Sequence, residues 1–85
     1  MRFLQSKPFR REYRKLPPHI QKKVDKSLAL MAHDPYHPGL NARKLTNQGD
    51  IYETRVDLHY RMTYQTQDDL IILRRVGTHE IYKKP

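Results

Sequence analysis

Apolar residues recur every three or four positions up to about residue 33 and alternate with polar ones from about residue 51 onward, so a helical half precedes a strand half. Phe3-Leu4 opens as a short strand. Ser6 stands at a helix cap, with Pro8 in the first turn. Phe9, Tyr13 and Leu16 follow at i, i+4 and i+7 and make one stripe, and Arg10, Arg11, Arg14 and Lys15 fall largely off it. Pro17-Pro18 stops this helix, because proline disfavours helical geometry in the residue before it, and Pro18 can start the next. There Ile20, Val24, Leu28 and Met31 form the apolar face, while Gln21, Lys22, Lys23, Asp25 and Lys26 turn mostly to solvent. His33-Asp34-Pro35 ends it. The pattern predicts a helical hairpin from about Pro8 to His33 with a very short joint.

Residues Asp34 to Asp50 hold two prolines and two glycines without a sustained period, which predicts a loop with Ala42-Arg43-Lys44-Leu45 as its one ordered anchor. Strands are expected near 51–57, 60–67 and 70–76, and their short connections imply antiparallel pairing. The expected fold is α+β: an N-terminal strand and helical hairpin packed on a C-terminal antiparallel β-meander, one domain over residues 1–85. Two helices cover one face of the sheet and leave the other free to bind. Period 2 places Tyr52, Thr54 and Val56 on one face and Ile51, Glu53, Arg55 and Asp57 on the other. Tyr60, Met62 and Tyr64 read as core, with Arg61, Thr63 and Gln65 facing away. In the last strand the alternation breaks: Leu70 and Ile72 fall with Arg74, and Ile71 and Leu73 with Arg75. One consistent assignment gathers Glu53, Arg55, Arg61 and one of Arg74 or Arg75 on a single exposed face. The core is expected to be dominated by Phe9, Tyr13, Leu16, Ile20, Val24, Leu28, Met31, Tyr52, Val56, Met62 and Tyr64.

Charge narrows the function. Seventeen Lys and Arg against nine Asp and Glu give a formal charge of +8 over 85 residues, which suggests a polyanionic partner, nucleic acid or an acidic protein. There is no cysteine, so disulfides and thiolate metal sites are excluded and a reducing cytoplasm is favoured. The N-terminal apolar run is too short for a signal peptide, and no run approaches the ~18 residues of a membrane span. No cysteine is present to complete a ligand set with the histidines, so no metal is expected, and three glycines form no phosphate-binding loop. No cofactor is implied.

The order of motifs resembles the RelE/ParE superfamily of bacterial toxin–antitoxin toxins. A helical hairpin is followed by Lys44-Leu45, then Tyr52-x-x-Arg55-Val56, then Tyr60-Arg61-Met62-Thr63-Tyr64. The acidic turn Asp68-Asp69 leads to an apolar strand ending in Val76-Gly77-Thr78-His79. The resemblance implies a cytoplasmic toxin neutralised by a cognate antitoxin. Its RelE-like branch cuts mRNA in the ribosomal A site without a metal, and its ParE-like branch poisons DNA gyrase. The Gly-Thr-His ending is closer to the nucleases, which implies a metal-independent endoribonuclease acting on mRNA and the ribosome. The alternatives are a gyrase inhibitor and an inactive antitoxin-binding member. RelE relies on lysines in the first meander strand, where this chain has Glu53 and Arg55, and that shifts weight to Glu53 and His79.

Metal-free cleavage of RNA activates a 2′-hydroxyl against its neighbouring phosphate and needs a base, an acid and cations. Arg61 is the first choice for the phosphate and Arg55 the second, because the guanidinium fork stays charged and binds two oxygens at once. His79 fits proton transfer, since imidazole titrates near neutrality. Glu53 is a candidate base, or a cross-strand partner for an arginine. Tyr82 suits stacking on a base or orienting a phosphate, or anchors the tail. Arg43 and Lys44 are expected to touch RNA, as are Arg74 and Arg75. His59, in the turn before Tyr60-Arg61, is within reach of the same place.

Overall fold

The computed structural model describes residues 1–45 and 49–85; the part of the expected loop at 46–48 lies outside the described residues. Strand β1 (Arg2–Gln5) leads into helices α1 (Lys7–Lys15) and α2 (Pro18–His33). A 3₁₀ turn at Pro38–Leu40 then precedes β2 (Arg43–Lys44), β3 (Tyr52–Arg55), β4 (Arg61–Gln67) and β5 (Leu70–Gly77), and a second 3₁₀ turn spans His79–Lys83. The five strands form one sheet in the order β1-β5-β4-β3-β2.

Each helix boundary has a local cause. The Ser6 hydroxyl oxygen accepts from the Phe9 amide at 3.2 Å and donates to the Arg74 carbonyl at 2.8 Å, so the cap of α1 also ties it to the sheet. The joint at Leu16-Pro17 is pinned by Tyr13, whose hydroxyl donates to Asp25 at 2.7 Å and whose carbonyl accepts from the Gln21 side chain at 2.9 Å. Phe9 and Tyr13 stack one turn apart. Phe9, Leu16, Ile20, Val24 and Met31 turn inward onto Met62 and Tyr64 and are buried. Tyr13, Leu28, Tyr52, Val56 and Tyr60 are half-buried against that core rather than inside it.

The expected helical hairpin and antiparallel meander are both present, and four features go beyond that expectation or depart from it. The sheet is mixed: β3, β4 and β5 form the antiparallel meander, but β1 lies parallel to β5 with Phe3 opposite Ile71. The segment read as a loop contains the 3₁₀ turn that plants Leu40 in the core, where Thr54 donates its hydroxyl to the Leu40 carbonyl. The expected anchor at Ala42-Arg43-Lys44-Leu45 is β2, which pairs Arg43 with Glu53 and Lys44 with Tyr52. The broken alternation in β5 is a bulge: Tyr64 pairs with Leu73 and Thr63 with Arg75, leaving Arg74 unpaired. Ile71, Leu73 and Val76 therefore all reach the core, and both arginines, not one, reach the chain's last carbonyls across the opposite face. Finally, that face is not free. The turn at His79–Lys83 folds back over the row Glu53–Thr63–Arg75 and buries Ile81, and Gly77 permits the approach, since a Cβ there would stand 3.0 Å from the Ile81 side chain.

Candidate functional site

The β3–β4 turn sets the position of the first arginine. Asp57 accepts from the amides of His59 at 2.8 Å and Tyr60 at 3.1 Å, closing the turn. The His59 amide and the Lys23 ammonium hold the Asp57 carboxyl below its usual range, against the opposing effect of burial. Arg61 then reaches back over this turn. One guanidinium nitrogen donates to the carbonyls of Asp57 at 2.6 Å, Tyr60 at 3.0 Å and Leu58 at 3.3 Å. Among the described residues its other two nitrogens have no protein partner.

Strand pairing sets Arg55 directly opposite Arg61. Like charges facing each other across two strands destabilise a sheet. Arg43 stands alongside, since it pairs with Glu53 one step further along β3. These three arginines, with Asn41, Glu53 and Tyr82, line an open cavity of about 580 Å³. Arg61 and Tyr82 are shared with an adjoining cavity of about 390 Å³, whose other walls are Leu58, His59, Thr78 and His79.

Glu53 is the acidic residue in this wall and is only 4% exposed, contrary to the exposed place expected of it. One carboxylate oxygen accepts from Arg43 and the other from the Tyr82 hydroxyl. Burial, the bond to Glu53 and its negative charge push the Tyr82 phenol up, more than Arg61 and Arg43 pull it down. Tyr82 is therefore a protonated donor at neutral pH.

The expected residues fall into three groups. Arg61, His79 and Tyr82 meet in one cavity, and Arg43, Glu53 and Arg55 meet Arg61 and Tyr82 in the other. Lys44 lies on the opposite side of β2 beside Tyr52, and its ammonium stands 3.4 Å from Asp50. Arg74 and Arg75 are occupied within the chain. Arg74 donates to Gln65 at 2.7 Å and to the Pro85 carbonyl at 3.1 Å. Arg75 grips both oxygens of Glu12 at 2.8 Å and the Lys84 carbonyl at 2.8 Å. Asn41 and Thr78 went unpredicted as wall residues. Asn41 sits where the chain turns through a left-handed conformation, φ 50°, a geometry that Asn tolerates but does not announce. Among the described residues no group of three or more His, Asp or Glu stands where it could hold a metal ion. Among the described residues no helix is long and apolar enough to cross a membrane.

A family model described as a ParE-like toxin domain matches residues 18–84. The fold is shared with toxins of solved structure. The RelB–RelE antitoxin–toxin complex of Methanococcus jannaschii aligns at a TM-score of 0.79 and 25% identity, covering 96% of this chain and 99% of that one. YafQ of E. coli aligns at 0.76 and 17% identity, covering 96% and 98%. The toxin of the intact E. coli RelBE complex aligns at 0.75 and 22% identity, covering 91% and 94%. No curated protein sequence matches the chain significantly.

Proposed function

The chain belongs to the ParE-like toxin family, within the RelE/ParE superfamily of toxin–antitoxin toxins, and from that premise we propose that it is a metal-independent endoribonuclease that cuts mRNA on the ribosome. The observation that carries this reading is the arginine pair. Arg55 and Arg61 oppose each other across β3 and β4, with Arg43 beside them, around a cavity that also presents Tyr82. Such a placement costs stability in the free protein and is relieved by a bound anion, and a phosphodiester supplies one.

In this reading Arg61 takes the scissile phosphate. Its turn-bound nitrogen fixes the fork, and the two remaining nitrogens bind non-bridging oxygens. Arg55 shares the charge that builds on the phosphorane. His79 moves the proton, with His59 on the same cavity wall as its complement: one takes the 2′-hydroxyl proton and the other protonates the leaving 5′-oxygen. Both oxygens of Glu53 are already in use, so Glu53 acts by holding Arg43 and Tyr82 rather than as the base. Tyr82 orients the phosphate or the base next to it. The natural partner is an antitoxin with an acidic, amphipathic segment laid over the basic surface, and the compartment is the cytoplasm, where ribosomes are.

The second reading is a gyrase poison, favoured by the ParE-like description of the family model. Single-turnover cleavage of mRNA on programmed ribosomes, run beside a gyrase supercoiling assay, decides between them. Cleavage with unaffected supercoiling is expected. Stalled gyrase with intact mRNA establishes the alternative.

A further inference from the structure

A separate cavity of about 460 Å³ opens on the helix-facing side of the sheet edge, between β2 and the loop after α2. That volume is in the range of small-ligand sites. Its walls hold three tyrosines, Tyr36, Tyr52 and Tyr64. Tyr52 and Tyr64 are cross-strand partners whose rings stack with centroids 5.8 Å apart. Burial raises the Tyr64 phenol, and the phenols of Tyr52 and Tyr36 raise it further.

Tyr36 is the anomaly. It is 91% exposed, yet its backbone is set by the Asp34 carboxylate, which accepts from the Tyr36 amide at 3.0 Å. A large aromatic ring held in a turn and left uncovered offers a flat stacking face. The rim is basic, with Arg43 and Lys44, and Asp68 is the acidic residue among the described walls.

The position of this cavity decides what it takes. β2 is the outermost strand, and Arg43 and Lys44 alternate across it, Arg43 toward the face with Glu53 and Lys44 toward the face with Tyr52. Arg43 and Asn41 line both this cavity and the arginine cavity, so the two meet around the sheet edge. A polyanion bound at Arg55 and Arg61 and continuing past Arg43 meets Lys44 next, and then the tyrosines. Aromatic faces beside a cationic track are how single-stranded nucleic acid is gripped irrespective of sequence.

We propose that this tyrosine cavity is a second RNA-binding subsite, which stacks a nucleobase of the same single strand whose phosphate lies at Arg55 and Arg61. It rests on the RNA reading of the arginine cavity and adds a place where the strand is held away from the cut. The proposal assigns Tyr36 the outer stacking face, Tyr52 and Tyr64 the inner wall, and Lys44 a phosphate.

The test uses the full chain and a fluorescently labelled 2′-O-methyl hexaribonucleotide, which binds but lacks the nucleophile for cleavage. Tyr36→Ala is expected to weaken binding about tenfold, within the range for loss of one stacked base. Tyr36→Trp should retain or tighten it, and circular dichroism should be unchanged in both because the side chain is exposed. Wild-type affinity in Tyr36→Ala overturns the proposal, whether or not the chain cuts mRNA. No detectable binding by the wild type overturns it as well. An effect of Tyr36→Ala confined to the antitoxin overturns it in favour of a peptide. Weakened hexanucleotide binding in Tyr36→Ala from a wild type that cuts nothing on ribosomes supports the subsite while removing the nuclease reading.

Discussion

At Arg61 a single guanidinium nitrogen binds three carbonyls of the preceding turn, which leaves the rest of the fork pointing into the cavity shared with His79 and Tyr82. Replacing it removes no core contact. Arg61→Ala should therefore abolish mRNA cleavage while leaving the circular dichroism spectrum intact. His79→Ala should slow single-turnover cleavage by roughly 10²–10⁴-fold while sparing binding to programmed ribosomes, since its proposed task is proton transfer. Arg55→Ala should fall between wild type and Arg61→Ala, because a second cation only shares the phosphate charge. Unimpaired cleavage by both Arg61→Ala and His79→Ala would place the site elsewhere. Asp57 gives a pH test of the same turn. Its carboxyl is held below the usual range in the folded state, so its stabilising effect is present above the unfolded value, about 3.9, and is lost as pH falls through the lower folded value. Asp57→Asn should show a smaller loss of melting temperature between pH 7 and pH 3 than the wild type. The family resemblance is what grouped Arg61 with His79 and Tyr82 in the sequence, and they line one cavity because Arg61 pairs with Gly77, the last residue of β5 before the tail. The burial of Glu53 was not readable, since its cover is Tyr82, 29 residues further on.

Among the elements, those with a sustained period were readable and those set by a partner were not. Phe9, Leu16, Ile20, Val24 and Met31 define the two helices without help from the sheet. The two residues of β2 have no period to detect, and their strand geometry comes from pairing with Glu53 and Tyr52. Leu40 is hidden for a similar reason: it lies among Pro38, Gly39 and Asn41, which read as loop, yet a 3₁₀ turn inserts it into the core. Leu40→Ala should cost about 2–5 kcal/mol in urea unfolding, as for a fully buried leucine. A cost under ~1 kcal/mol would mean that this turn does not anchor the segment. The fold-back of the last turn onto Glu53 and Thr63 likewise depends on a close approach at Gly77, which hydropathy does not record.

For the whole molecule, charge and pairing register are the governing quantities. A net charge of +8 makes association with an acidic antitoxin strongly electrostatic. Its affinity, measured by titration calorimetry, should fall at least tenfold between 50 and 500 mM NaCl, and a salt-independent affinity would assign the interface to apolar contacts instead. Register constrains how the chain accommodates a change in length. Because Leu73 pairs with Tyr64 and Arg75 with Thr63, removing Arg74 leaves every other rung of the β4–β5 ladder with its present partner. The losses are the contacts of Arg74 to Gln65, Pro85 and Ser6, roughly 1–3 kcal/mol together. Deleting Ile72 instead, with the bulge taking up the missing residue, would set Leu73 opposite Gln65 and Arg74 opposite Tyr64, which takes Leu73 out of the core and turns Arg74 into it. A chain shortened by one residue inside an interior strand should thus fold when the residue is Arg74 and fail when it is Ile72. The bulge is a spare length of strand, and this domain is one in which a deletion makes a sheet more regular.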